Sequence, residues 1–479
     1  MALAGVRAYD GILTSPLPLV VQQTRCRRAR ARYLSALLLA SSACGSSSDG
    51  EPTPGSTSTT GATSTQAEST ASTTTGSSST VDATSTSEPA STGESTSSVD
   101  TGSSSDSAGE TSYPQPCADL YDQAIVPTFE LTFTPDELAN VQADCQNGER
   151  HYRPMQLTYD GEVIDAMARL KGNWSWDCQK LQFVVSFNEV DPDARFHGVR
   201  KLVFDAPWYD HSLLHERIAF PLFRERGLPY SCVNNARVVV NGEYQGLFAN
   251  VERLDKEYLQ RHFDEADGNL YEGGVELETN ETIADTSDIE ALNAANTIEE
   301  LDALIDLDEA VAEWATEAML PAMDNYWAGV EINYYLYNHP SRGFLYLPVD
   351  LDITFGDASY PGGELIWPDS VTSDPITYQH PGWLKEGLFQ RVLADPQWCA
   401  RFVEELELSR AAYSPQELSA RVDEASAQIA ASVEDDPNRP FSMNEHDAAV
   451  ASMKDFFVAR AQFVDDWLAQ GNHCPAEFP

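Results

Sequence analysis

Apolar and polar positions alternate through the first half of the folded stretch and then give way to helical spacing. Met155-Gln-Leu-Thr-Tyr159 alternates, Asp160-Gly161 is a turn signal, and Val163 to Leu170 resumes the alternation, which predicts a β-hairpin. Leu181 to Phe187 alternates again. Arg237 to Val240 and Tyr244 to Val251, joined through Asn241-Gly242, predict a second hairpin. Glu130 to Lys201 therefore reads mostly as strand. Leu213 to Arg226 carries apolar residues at helical intervals and meets a stop at Gly227 and Pro229. Leu254 to Phe263 reads as helix, and 286–340 as mainly helical, including Leu301 to Asn325 interrupted near Pro321. A β-branched run, Leu345-Tyr-Leu-Pro-Val349, reads as a buried strand. Helices are expected over 383–410, 414–433 and 448–470. Strands first and helices after describe an α+β chain with a smaller β-rich part and a larger helical one.

The segments before residue 120 follow neither period. Arg25, Arg27, Arg28, Arg30 and Arg32 precede a short apolar run, Leu34 to Ala40, and small residues lead to Cys44. Basic, apolar and small segments in that order describe a bacterial secretion signal over 1–44, with Cys44 as a lipid-bearing mature N-terminus or, alternatively, cleavage near Ala43. The run falls short of the ~20 residues a membrane-spanning helix needs. Residues 45–115 are Ser, Thr, Gly and scattered acids, too poor in apolar side chains to offset ordering entropy, so a disordered linker is expected. The folded domain is placed at 120–475. These features predict an exported lipoprotein of the bacterial cell envelope or surface, touching a membrane only through a lipid on Cys44.

Cysteine and charge narrow the setting. Cys117, Cys145, Cys178, Cys232, Cys399 and Cys474 include no C-x-x-C pair, so disulfides are expected before zinc. Cys399 with Cys474 is the first pairing to expect, and the remaining connectivity stays open. The formal net charge of -45 argues against nucleic acid as a partner.

Candidate chemistry centres on Val349-Asp350-Leu-Asp352-Ile-Thr-Phe-Gly356. Aspartates at i and i+2 on extended backbone point the same way, so both carboxylates can face one cation. Clustered, unpaired acids at the end of an apolar strand cost too much to be mere packing. A structural carboxylate pair or a calcium site is the alternative.

Several separated motifs share one resemblance. Arg169-Leu-Lys171-Gly172-Asn-Trp-Ser175 with Lys180 and Phe183, and Phe196-His-Gly198-Val-Arg-Lys201, lie in the first part. Val240-Asn-Gly-Glu-Tyr-Gln-Gly246 with Glu252 and Lys256, and Gly268-Asn-Leu-Tyr-Glu272, come next. Asp324 with Asn333-Tyr-Tyr-Leu-Tyr337, and Pro348 to Gly356, complete them. In this order they resemble the spore coat protein H (CotH) kinase-like family over roughly residues 125–470. The resemblance implies an atypical protein-kinase-like fold of two lobes, a β-rich N-terminal one and a mainly helical C-terminal one. It implies a serine/threonine kinase-like phosphotransferase that uses ATP and Mg2+ (or Mn2+) and passes the γ-phosphoryl group to Ser or Thr of surface or secreted proteins.

Phosphoryl transfer asks for cations on the phosphates, acids on a divalent metal and an acid near the acceptor hydroxyl. By the resemblance, Arg169, Lys171 and Lys180 contact phosphate, and Glu252 pairs with one of these lysines or else forms a plain salt bridge. Asp350 and Asp352 hold metal with Asn333 as helper. Asp324 is the catalytic base, or Asp324 or Asn325 caps a following helix. The chain departs from ordinary protein kinases in lacking a G-x-G-x-x-G loop, and Trp174 and Trp176 stand where the family more often carries small polar residues. Two other functions fit parts of the pattern. One is a non-catalytic, pseudokinase-like surface or coat protein. The other is a metal-dependent glycosyltransferase, which would use the D-x-D but not Arg169, Lys171 and Asp324 together.

Overall fold

A computed structural model describes residues 117–475 apart from 174, 207, 331, 357, 360–364 and 381–386. The expected signal, Cys44, the linker and Trp174 lie outside the described residues. Seven strands come first: β1 (Thr128–Thr132), β2 (Arg153–Tyr159), β3 (Glu162–Leu170), β4 (Phe183–Ser186), β5 (Lys201–Asp205), β6 (Val233–Val240) and β7 (Glu243–Val251). They close into a barrel in the order β1-β2-β3-β4-β5-β7-β6, in which only the β1–β6 pair is parallel.

Both expected hairpins form, and their turns show why. Asp160 and Gly161 have φ of 45° and 80°, and Asn241 and Gly242 have 50° and 83°. Positive φ at both central positions gives the turn whose twist matches that of the flanking strands. The Asn241 side chain also accepts the Phe133 amide at 2.7 Å and donates to its carbonyl at 2.9 Å, fastening this turn beyond β1. Alternation delivers Phe129, Leu131, Leu157, Ala168, Leu202 and Phe204 to the core with no exposed surface. Phe129 stacks on Tyr159 at 4.8 Å and tilts against Phe204 at 5.0 Å.

Ten helices occur among the described residues. The first, α1 (Pro135–Asn147), interrupts a region expected to be strand. Its start is written locally: the Thr134 side chain accepts the Glu137 amide, and Pro135 stands in the first turn, where a missing N–H costs nothing. Helices α2 (His215–Glu225) and α3 (Lys256–His262) match expectation to within a few residues. Helices α4 (Ser287–Ala294), α5 (Ile298–Asp302) and α6 (Leu307–Met319) fill just under half of the region expected to be helical. The last four are α7 (Leu388–Leu393), α8 (Pro396–Ala412), α9 (Pro415–Glu434) and α10 (Met443–Gln470). The expected helix over 383–410 is thus two, parted at Asp395, whose carboxylate caps α8 through the Gln397 and Trp398 amides.

A second sheet corrects the helical reading of 286–340. It comprises β8 (Leu270–Glu272), β9 (Glu276–Leu277), β10 (Tyr334–His339) and β11 (Gly343–Pro348), in the order β11-β10-β8-β9. Strand β10 is paired on both sides and five of its six residues are buried, so no polar face was there to show a period of two.

Three disulfides staple the described chain: Cys399–Cys474, as expected, with Cys117–Cys232 and Cys145–Cys178. Among the described residues no helix is long and apolar enough to cross a membrane.

Candidate active site

Strand β11 stops at Pro348, and Asp350 has left-handed backbone, φ 57°. The two aspartates therefore do not lie along an extended strand, as the sequence suggested, but on either side of a turn. The segment after α6 lies against this turn, with the Met323 amide on the Ile353 carbonyl and the Phe355 amide on the Leu320 carbonyl, both at 3.0 Å. That pairing sets Asp324 beside the acid loop. Asn325 is fully buried and caps no helix: its side-chain amide donates to the Asn333 carbonyl at 3.1 Å and the Val349 carbonyl at 2.9 Å. It joins the start of β10 to the end of β11. Asn333, also left-handed at φ 60°, donates from Nδ2 to the Asp324 carboxylate at 3.0 Å. Gly356 closes the loop at φ 74°, where a Cβ would lie 2.3 Å from Ser370 Oγ and 2.5 Å from the Phe456 ring.

The electrostatics report how closely these acids gather. Burial, reinforced by the charges of Asp350, Asp324, Glu216 and Asp210, pushes the Asp352 carboxyl well above the usual carboxylate range. Glu216, at the start of α2, is pushed up to about 8 by burial and by Asp350, while Lys171 and the Leu351 amide oppose the rise. Lys171, just beyond β3, is lowered by burial and held up by Asp350, Glu216 and Asp352. It also forms an ion pair with Asp205 at the end of β5. Three expected residues, Asp324, Asp350 and Asp352, thus share one locality with Lys171 and, through Asp324, with Asn333.

The other expected residues go elsewhere. Arg169 is on β3, but its guanidinium lies over the Tyr152 ring, 5.6 Å from the centroid, and donates to the Leu170 carbonyl. The strand ends at Leu170, so Arg169 and Lys171 do not share one alternating strand face. Lys180 is buried against Asp436 at 2.6 Å and lies over the Phe248 ring. Glu252 takes no lysine: its carboxylate accepts the Cys232 amide at 3.0 Å and faces Arg261 at 3.1 Å and His262 at 3.2 Å. Lys180 and Glu252 are structural ion pairs here.

Two residues the sequence reading passed over belong near the site. Glu216 is one. The other is Arg253, just past β7, whose charge bears on Lys171 and whose guanidinium meets Glu278 at 2.8 Å. Asp210 supports α2 from below, its carboxylate accepting the amides of Ser212, Leu213 and His215.

By chemistry the donors suit a hard divalent cation, although among the described residues no three of these carboxylates come within 4.8 Å of one another. Asp324, Asp350, Asp352 and Glu216 offer carboxylate oxygen, Asn333 an amide oxygen, and magnesium and manganese prefer such donors. The mutual repulsion recorded at Asp352 is the strain a cation would relieve.

Two comparisons with known proteins bear on the chain. Inner spore coat protein H of Bacillus subtilis (strain 168) is 23% identical over 150 residues, 31% of this chain and 40% of that protein, so the likeness spans well under half of the relative. The model of the family described as CotH kinase protein matches residues 168–464, more than half of the chain and all of the acids above. The chain belongs to the CotH kinase protein family.

Proposed function

We propose that the chain is an exported protein kinase of the CotH type, transferring the γ-phosphoryl group of ATP to a serine or threonine hydroxyl of a surface, coat or secreted protein. The observation that supports this reading is that the charges of Asp324, Asp350 and Glu216 bear on Asp352, and those of Asp350, Asp352 and Glu216 on Lys171. We read the barrel with α2 as the smaller lobe of a kinase-like fold, and the second sheet with α6 to α10 as the larger. Three disulfides support an oxidising compartment, consistent with a secretion signal over 1–44 and a lipid on Cys44.

In this reading Asp350 and Asp352, with Asn333, hold Mg2+ or Mn2+, which neutralises charge on the β- and γ-phosphates. Lys171 adds its charge to the same phosphates. The Lys171–Glu216 juxtaposition serves as the lysine–glutamate pair that kinases use to orient the lysine. Asp324, its carboxylate steadied by Asn333 Nδ2 at 3.0 Å, accepts the proton of the acceptor hydroxyl. The hydroxyl oxygen bonds to the γ-phosphorus as the bond to the β–γ bridging oxygen breaks, and ADP leaves.

Radiolabelled ATP with Mg2+ or Mn2+ and a generic acceptor tests this. Wild type should label itself or the acceptor, and Asp324→Asn and Asp352→Asn should lose about 100-fold or more. One observation favours the non-catalytic reading: Arg169 and Lys180, two of three expected phosphate ligands, are engaged elsewhere. Absence of label from a folded wild-type protein that still binds Mn2+ would establish that reading instead.

A further inference from the structure

The first turn of α2 grips the acid loop with two consecutive side chains. His215 Nδ1 lies 2.6 Å from the Asp352 carbonyl oxygen, and a carbonyl only accepts, so Nδ1 carries the proton and donates it. On the next residue the Glu216 carboxylate lies toward the Leu351 amide. The loop is thereby tied to the first turn of the helix through the Asp352 carbonyl. On the far side of the His215 ring Nε2 lies 3.4 Å from Asp210, whose carboxylate the amides of the helix start fix. The side chain has no exposed surface and meets the Phe355 ring edge-on at 5.7 Å. Packing and hydrogen bonding leave the ring one orientation.

The loop needs such a hold. Left-handed backbone at Asp350 is strained by on the order of 1 kcal/mol. The charges of Asp350, Asp324 and Glu216 all bear unfavourably on the Asp352 carboxylate. A ligand set assembled before binding gives higher affinity, because ordering it takes nothing from the interaction with the ion.

We propose that His215 is a positioning residue for the divalent cation: by holding the Asp352 carbonyl it keeps Asp350 and Asp352 convergent before the ion arrives. This rests on the reading of those aspartates as cation ligands. Partners outside the ligand sphere commonly set metal affinity by about 10- to 100-fold, and His215 is such a partner.

The test is titration of the full chain with Mn2+, following the free-ion signal by electron paramagnetic resonance. His215→Phe keeps a ring against Phe355 but donates nothing, while His215→Asn restores an N–H near the Nδ1 position. The phenylalanine variant should bind Mn2+ about 10- to 100-fold more weakly, and the asparagine variant should regain most of the loss. Should the phenylalanine variant fail to fold, His215→Ala is titrated with and without added imidazole, and recovery with imidazole is the expected result. Equal Mn2+ affinity in wild type and variants overturns the positioning role alone, as does equal weakening in both with no rescue. A wild type that binds no Mn2+ overturns the cation reading beneath it.

Discussion

Glu313 lies on α6 with no accessible surface and no hydrogen bond to either carboxylate oxygen, one turn from Glu309 on one side and Glu317 on the other. Burial first, then the two flanking charges, push its carboxyl well above the usual carboxylate range, so it is folded in as the neutral acid. The sign of the consequence follows. Above about 4.5 the unfolded chain has released this proton and the folded chain keeps it, so stability falls as pH rises, by up to about 1.4 kcal/mol per pH unit. Glu313→Gln removes the proton from the comparison. The melting temperature of the variant should decline less between pH 5 and 9 than that of wild type, measured by thermal denaturation; parallel curves would refute it.

Among the elements, the buried Lys180–Asp436 pair joins the chain before β4 to the segment after α9, and Asp436 also accepts the Leu247 amide at 2.9 Å. Lys180→Met would strand a buried carboxylate at a cost of about 3–5 kcal/mol. The melting temperature should fall by about 10 °C, with ATP affinity unchanged below the transition. Lys171→Met should instead weaken ATP binding, and calorimetric titration below the transition separates the two lysines. Before the structure these lysines read alike. Sequence separates elements well where one face is wet: the hairpins at Asp160-Gly161 and Asn241-Gly242 were legible from alternation and turn chemistry. It failed for β10, which is covered on both faces, and for α1, whose cap was written in Thr134, Pro135 and Glu137 but went unread. In the site, Asp324, Asp350 and Asp352 were legible because acids follow apolar runs there. Glu216 was not, since it opens an ordinary amphipathic helix and gains meaning only when α2 meets the Leu351 amide. Arg169 and Lys180 turn to other partners, since a motif fixes spacing along the chain and not the direction a side chain takes.

For the molecule as a whole, the disulfides close loops of 115, 75 and 33 residues. On chain-entropy grounds each restricts the unfolded state by about 3–5 kcal/mol, the longest loop by most. Reduction should lower the melting temperature markedly, and replacing Cys117 and Cys232 together with serine should cost more than replacing Cys145 and Cys178. Differential scanning calorimetry would decide, and melts indifferent to reductant would contradict it.

The Cys117–Cys232 bridge also governs how the domain bears load. Tension applied upstream of Cys117 passes through the sulfur–sulfur bond straight to residue 232 and bypasses everything between, including β1 to β5 and α2. An oxidised domain hauled from that side cannot be peeled open one strand at a time from β1; the pull goes to the edge of β6, and the candidate catalytic residues carried by the bypassed stretch feel no direct traction.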